Sequence, residues 1–471
     1  MKRLHIALCF TLLSIFLTQN AFAQPNIILI LLDDAGYGDF SCYDPGFLKT
    51  PAIDQFRKEG MKFTQFYAGS TVCAPSRCVL LTGKHSGHAR VRGNSEGALL
   101  PEDLTIAEVL QQAGYRTACI GKWGVGAGIP LDDPNRNGFD HFFGYVSMWH
   151  AHNFYPEFLV RDGEEIPLRN VVMEKYRGQD GRGVAVTRID YAPEILSQAV
   201  VDYISASDDQ PFFLYYALNV PHTNNEGGRD NPSPEKGMEV PDFGSYADQS
   251  WPGPEKGFAA MMQNIDRSVQ SVLDQLKKSE IDDNTLVLIS SDNGPHQEGG
   301  HIMEFFDSNS HLTGKKRDLY EGGIRVPLLV RWPNKIRPDT TTDHLSAFQD
   351  ILPTVAEIAE VPVPNYVDGI SFLPTLLGES DKQDEHDFLY WEFTEHQGKR
   401  ALRKGPWKLV QRKVSTANPT SPELYNLDTD VSEQNNLAKD HPDLVKELTA
   451  IMDQSHTPSS NYPLFPDEAS N

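Results

Sequence analysis

Cys73 and Arg77 stand one helical turn apart in the stretch Cys73-Ala74-Pro75-Ser76-Arg77-Cys78-Val79-Leu80-Leu81-Thr82-Gly83, which reads as a loop turning into a helix at Pro75 and ending at Gly83. Proline fixes φ near its helical value and lacks an N–H that a first turn leaves unpaired, and glycine accepts the left-handed conformation that closes a helix. A thiol at a helix N-terminus, where unpaired N–H groups favour an anion, and a cation on the same face are aimed at one point. An inert buried thiol and a solvated arginine are the competing readings of this stretch alone.

Oxygen donors gather at two other places. Asp33-Asp34 follows the apolar run from Pro25 to Leu32, and Asp292-Asn293-Gly294 follows the run from Thr285 to Ser291. Apolar runs of this length suit strands covered on both faces, the mark of a parallel α/β sheet, in which ligands bind off the carboxyl ends of the strands. The four residues hold only oxygen donors, a set that selects Ca2+ or Mg2+ over zinc. Each pair taken singly also suits an ordinary turn or helix cap.

The elements that must position these groups alternate along the chain. Thr50 to Glu59, Thr105 to Ala113, Glu194 to Ala206, Phe258 to Lys278 and Asp350 to Glu360 are expected helices. Thr117 to Ile120, Phe212 to Leu218 and Val326 to Trp332 are expected strands, followed respectively by the loop Gly121-Lys122-Trp123-Gly124, by Asn219-Val220-Pro221-His222, and by a connection to the next helix. Residues Asn224 to Pro254 and His296 to His311 are expected to form pocket walls, and Thr313 to Gly323 a basic, glycine-rich loop. The charged run Glu379 to Glu385 marks a boundary. Beyond it, Phe388 to Phe393, Arg400 to Gln411 and Glu423 to Asn426 read as antiparallel strands closed by a helix from Leu444 to Gln454. The expected fold class is therefore α/β, a large mostly parallel mixed sheet between helices with a small C-terminal antiparallel subdomain. The expected division is a signal peptide at 1–23, a catalytic domain at 24–385 and a C-terminal subdomain at 386–471.

Composition narrows the function. Met1 to Ala23 carries Lys2 and Arg3, an apolar run from Ile6 to Leu17 and then Ala21-Phe22-Ala23, the pattern of a secretory signal, so the mature chain is expected to be exported to the periplasm or secreted. That run is too short to span a bilayer, and membrane insertion is not expected. A balance of 42 basic against 65 acidic residues, net −23, disfavours nucleic acid as a partner. An anionic substrate would have to be met by locally clustered cations against that field. Five cysteines include Cys9 in the signal, so Cys42, Cys78 and Cys119 allow at most one bridge if Cys73 is chemically committed.

The motif around Cys73 with Leu81-Thr82-Gly83, together with Asp33-Asp34-Ala35-Gly36-Tyr37-Gly38-Asp39, Gly121-Lys122-Trp123, Asp292-Asn293-Gly294 and Glu321-Gly322-Gly323-Ile324-Arg325-Val326-Pro327, resembles the type I sulfatases of the alkaline-phosphatase-like superfamily. The landmarks run in family order from Pro25 to Glu423-Leu424-Tyr425-Asn426-Leu427. The resemblance implies that Cys73 is oxidised by a formylglycine-generating maturation enzyme to formylglycine, whose hydrated aldehyde is the nucleophile. It implies one Ca2+ on Asp33, Asp34, Asp292, Asn293 and the modified Cys73. It further implies that Arg77 holds the nucleophile's oxygen, that Lys122 and Lys316 bind sulfate, and that His222 acts as general acid.

One position departs from the family. Many sulfatases carry Gly-Lys-Trp-His, where this chain has Gly124, so the base that eliminates sulfate is unassigned. His150 and His152, in Trp149-His150-Ala151-His152-Asn153-Phe154-Tyr155, are candidates for a base or a sugar contact; a zinc site or aromatic packing would also suit the alternating pair. The expected reaction is hydrolysis of the sulfate ester of a polysaccharide-derived sugar. An arylsulfatase, a phosphoester or phosphonate hydrolase of the same superfamily, and a noncatalytic protein that binds sulfated glycans are the alternatives.

Overall fold

The computed structural model describes residues 24–94, 97–126 and 133–468; the signal segment at 1–23 lies outside them. Ten strands form the main sheet: β1 (Asn26–Leu32), β2 (Met61–Phe63), β3 (Arg116–Lys122), β4 (His141–Tyr145), β5 (Phe158–Arg161), β6 (Glu164–Pro167), β7 (Phe212–Ala217), β8 (Thr285–Ser291), β9 (Leu328–Arg331) and β10 (Thr340–Thr342). Their order is β10-β2-β9-β8-β1-β7-β3-β4-β5-β6. The central run β8-β1-β7-β3-β4 is parallel, and antiparallel pairings flank it on either side. Parallel strands need both faces covered, which is why β1 reads as an unbroken apolar run. Ile27, Leu29 and Leu31 enter one core while Ile28, Ile30 and Leu32 enter the other.

Helices α1 (Pro51–Lys58), α2 (Cys73–Thr82), α3 (Ile106–Gln111), α4 (Ala192–Ser205), α5 (Gly253–Lys278) and α6 (Ile351–Ile358) supply the cover. Those of α2, α3 and α6 pack on the first face, those of α1, α4 and α5 on the second. The long α5 starts five residues before the sequence pattern suggests, because Pro254 sits in its first turn, where a missing N–H costs nothing. The excursion before it holds a short helix, Asn225–Asp230, with Asn224 capping Gly227 N.

The second sheet is antiparallel, in the order β11 (Leu389–Phe393), β12 (Lys399–Lys404), β13 (Trp407–Arg412), β14 (Glu423–Asn426). The expected single strand from Arg400 to Gln411 is two strands, turning at Gly405 with φ 55°. One face packs on α7 (Pro442–Ser455) through Leu402, Leu409, Leu448 and Met452. The other packs on Tyr67, Val72 and Ile324 of the main body. Trp391 Nε1 donates to Ala68 O at 2.9 Å, and Lys408 joins Glu321 and Glu433 at 2.8 and 2.9 Å, all three buried. Truncating a buried tryptophan such as Trp391 to alanine costs about 3–5 kcal/mol. This contact therefore holds the small sheet against the loop that carries Lys316. Cys42, Cys73, Cys78 and Cys119 are all free thiols.

Candidate active site

Register brings the two acidic strand ends together. Leu32 pairs with Ser291 across β1 and β8, so the next residues, Asp33 and Asp292, leave the sheet side by side. The ladder continues one step further, with Asp292 N donating to Leu32 O at 3.0 Å and Asp33 N to Val220 O at 3.2 Å. Asp34 takes φ 67°, a left-handed conformation that costs a non-glycine residue about 1–2 kcal/mol. Its N–H is held by Asp292 Oδ1 at 3.1 Å and its Oδ1 accepts from Asn293 Nδ2 at 2.7 Å.

Each carboxylate has a cation within 3 Å, and Asp33 has Arg77 as a second at 3.8 Å. Lys122 Nζ lies 2.7 Å from Asp33 Oδ2, Arg77 donates twice to Asp292 Oδ2 at 3.0 and 2.8 Å, and Lys316 Nζ lies 2.7 Å from Asp34 Oδ2. Asp33, Asp34, Asp292 and Arg77 are wholly buried, as is Lys122, and Lys316 is 5% exposed. Burial alone raises a carboxyl group's pKa, yet the Lys122 and Arg77 charges hold Asp33 well below its ordinary value. Asp292 goes the other way, up to about 7, because burial and the neighbouring Asp33 charge outweigh Arg77. Burial also works against the Lys316 ammonium, but Asp34 and Glu298 reverse this and raise it.

Helix α2 presents Cys73 in its first turn, two residues earlier than a start at Pro75, with Val72 as the extended residue before it. Asn94 Oδ1 accepts from Ala74 N at 3.1 Å and lies 3.7 Å from Cys73 Sγ, capping this terminus from outside the helix. Burial pushes the Cys73 thiol up, so the unmodified side chain is a poor thiolate. Arg77 is fixed at its far side by Lys122 O at 2.8 Å and Tyr215 OH at 3.4 Å.

Lys122 sits on strand β3 rather than in a loop. Gly121, with φ 118°, interrupts the apolar pattern there, and a Cβ at that position would lie 1.8 Å from Ala217 O. Lys316 reaches His222 as well as Asp34: its Nζ donates to Nε2 at 3.1 Å, while His222 Nδ1 donates to Thr223 O at 2.6 Å. His222 is thus neutral with its lone pair at Nε2, and burial with the adjoining Lys316 charge holds its pKa well below the usual histidine range.

The two histidines of the aromatic stretch part company. A turn of 3-10 helix, His150–His152, sends His150 into the core, where Nε2 meets Phe158 O at 3.0 Å and burial lowers its pKa to about 4. His152 instead stacks on His222 with ring centroids 4.8 Å apart and planes 16° apart. Asn94, Glu226 and Glu298 were not signalled by the sequence. Glu298 Oε1 lies 2.6 Å from Arg317 and its Oε2 3.9 Å from Lys316, tying the basic loop to the 296–311 segment.

A hard divalent cation fits this cradle. Asp33 Oδ1 and Asn293 Oδ1 are buried with no hydrogen-bond partner, and buried polar atoms in native proteins are nearly always satisfied. Ligand atoms of Asp33, Cys73 and Asp292 lie within 4.8 Å of one another, as do those of Asp33, Asp34 and His222. The oxygens suit Ca2+ or Mg2+.

Comparison with known proteins places this geometry. The family described as sulfatase matches residues 25–361, and that described as N-sulphoglucosamine sulphohydrolase, C-terminal, matches residues 310–457. The chain belongs to the sulfatase family. This sulfatase is 29% identical to the N-acetylgalactosamine-6-O-sulfatase of Bacteroides thetaiotaomicron, over 93% of this chain and 94% of that protein. It is 30% identical to human arylsulfatase A, over 88% of this chain and 83% of that protein. The crystal structure of Ps i-CgsB superposes with a TM-score of 0.76 at 26% identity, covering 92% of each chain, and the same protein has been solved with k-i-k-neocarrahexaose. The alkaline-phosphatase-like fold and the class, a sulfuric ester hydrolase, follow. Among the described residues no helix of this sulfatase is long and apolar enough to cross a membrane.

Proposed function

We propose that this sulfatase removes sulfate from a sulfated carbohydrate, with Cys73 matured to formylglycine by a formylglycine-generating enzyme and with Ca2+ as its metal. The supporting observation is the convergence of Arg77, Lys122 and Lys316, all buried, on the carboxylates beside Cys73 in a chain of net charge −23. Each cation is paired with a carboxylate of the cradle, and a divalent cation taken up by those carboxylates would leave all three to meet an anion. The carbohydrate class is supported by the sugar sulfatase and the oligosaccharide complex among its relatives. Export rests on the Met1 to Ala23 pattern.

Asp33, Asp34, Asp292 and Asn293 would hold the Ca2+, which when bound neutralises sulfate charge and favours the ionised nucleophile. Formylglycine supplies a geminal diol, one hydroxyl to attack sulfur and a second to expel sulfate afterwards. The protein's own groups do the rest. Arg77, pinned by Asp292 and Lys122 O, stays fixed while charge develops at position 73. Lys122 and Lys316 clamp the nonbridging oxygens without reorganising, which is where preorganised cations contribute most. The departing sugar oxygen needs a proton, and His222 gives it from Nε2 after that nitrogen, unprotonated at rest, has taken the proton of the Lys316 ammonium, which solvent then replaces.

The test compares matched aryl sulfate and aryl phosphate, with and without Ca2+, and then a panel of monosulfated sugars, using protein co-expressed with a formylglycine-generating enzyme. Sulfate release that exceeds phosphate release and depends on Ca2+ is expected. Faster phosphate turnover would overturn the reading.

A further inference from the structure

Two of the site's unpartnered buried atoms belong to the cation cradle. Two more stand beside it: Nδ1 of His152, whose ring stacks on His222, and Glu226 Oε2, 3.6 Å from that nitrogen, each without a hydrogen-bond partner. Both residues are 7% exposed. They face each other as a loose ion pair, and the separation is too long for a good hydrogen bond. Arg229 does not satisfy Glu226 either, since it stands 4.0 Å from the other carboxylate oxygen with its side chain 70% exposed. Leaving such groups dry is unfavourable, so a ligand is expected to complete them.

The chemistry of the pair is specific. Ionised Glu226 only accepts, and the imidazole of His152 donates from Nδ1 when its proton is there. A single hydroxyl can give its proton to the carboxylate and take one from the ring. A sulfate group has no proton to give and is repelled by Glu226. Trp149, 38% exposed, packs edge-to-face with His152 at 5.4 Å, carries the Arg182 guanidinium over its ring at 5.2 Å, and sets an aromatic rim beside the pair. The wall thus joins an aromatic surface to a matched donor and acceptor, the composition of a small-ligand pocket.

Resting on the carbohydrate reading above, we propose that His152 and Glu226 recognise a free hydroxyl of the sugar ring close to the sulfated carbon, with Trp149 bordering the ring. The pair selects sugars sulfated at one position over those bearing a second sulfate beside the first. It also sets sugar esters apart from aryl sulfates, which leave both atoms unpartnered.

The experiment takes matured protein and monosulfated galactose, N-acetylgalactosamine and N-acetylglucosamine, identifies the fastest substrate, and compares it with analogues lacking each hydroxyl nearest the sulfated carbon. In the native enzyme one deletion is expected to lower kcat/KM by at least about tenfold, since a site built to bond a hydroxyl rejects the analogue lacking it. The same deletion is expected to matter at least about fivefold less in Glu226→Ala or His152→Ala, because the protein partner is already gone. An effect below tenfold for every deletion, or an equal effect in native enzyme and variants, overturns the proposal. The native-enzyme comparison stands even where a variant fails to fold. Absence of sulfate release from every sugar and from 4-nitrophenyl sulfate would instead strike the underlying sulfatase reading.

Discussion

Lys316 Nζ lies 3.1 Å from His222 Nε2 and 2.7 Å from Asp34 Oδ2, so one ammonium serves a base and a carboxylate at once. Its neighbour Lys315 is partly exposed and turns to Gln297. Lys316→Ala is expected to lower kcat by about 10²- to 10³-fold, the loss seen when one preorganised donor is removed. Lys315→Ala, a surface change, is expected to stay within about threefold. Steady-state kinetics on a sulfate ester separates them, and equal losses would mean the wrong lysine has been assigned.

Metal removal is expected to register in stability before any assay of turnover. Free Ca2+ at 100 times its dissociation constant adds about 2.7 kcal/mol to a protein that binds it only when folded. Thermal melts after dialysis against EDTA should rise by several degrees on adding Ca2+, and Asn293→Ala, which removes one unpartnered oxygen of the cradle, should blunt the rise. A melt indifferent to Ca2+ would count against the cradle.

Gly124 carries φ 64°, and a Cβ there would lie 2.9 Å from Lys122 Cε. Installing the histidine common in the family is therefore expected to displace Lys122 from Asp33 and not to rescue a missing base. Gly124→Ala and Gly124→His should both lose activity, with about 1–3 kcal/mol of stability lost to strain. A gain in kcat for Gly124→His would show that the loop relaxes freely.

His456 ties the end of α7 to strand β11 through Glu392 at 2.7 Å and to the segment after the helix through Glu468 at 2.5 Å. Burial disfavours its charge, but the two carboxylates outweigh this and raise its pKa above the ordinary 6.5. A raised histidine contributes stability that is complete below its unfolded pKa and is lost as pH climbs through the folded one. The stability gap between native protein and His456→Gln, read from urea unfolding, should be wider at pH 6 than at pH 9. A gap independent of pH would show that the ring acts by packing alone.

The acidic strand ends were legible because β1 and β8 are buried on both faces: the apolar runs stop where the sheet stops, and the first polar residues mark its edge. Cys73 was legible as a helix start for a similar local reason. Lys122 was misplaced into a loop because Gly121 breaks the apolar pattern inside a strand, a requirement imposed by Ala217 on the neighbouring strand. His150 and His152 were equivalent in sequence and separate only when one turn of 3-10 helix aims them apart. Asn94 carried no signal, since an external cap obeys no spacing relative to the helix it serves. Glu226 and Glu298 came from the stretches expected to wall the pocket, but which residues of those stretches face it depends on tertiary packing.

The cations proposed to meet the substrate lie buried in a chain whose formal net charge is −23. A sulfated polymer approaching from solution meets repulsion first and attraction only within the pocket. That repulsion acts within about 10 Å, the screening length at 0.1 M salt, and is largely screened beyond it. Encounter with long, densely charged polymers should therefore quicken as salt is added, while a short monosulfated sugar is nearly indifferent. On the proposed function, the same field would make the enzyme a filter on charge density, passing sparse or already shortened chains in preference to intact ones.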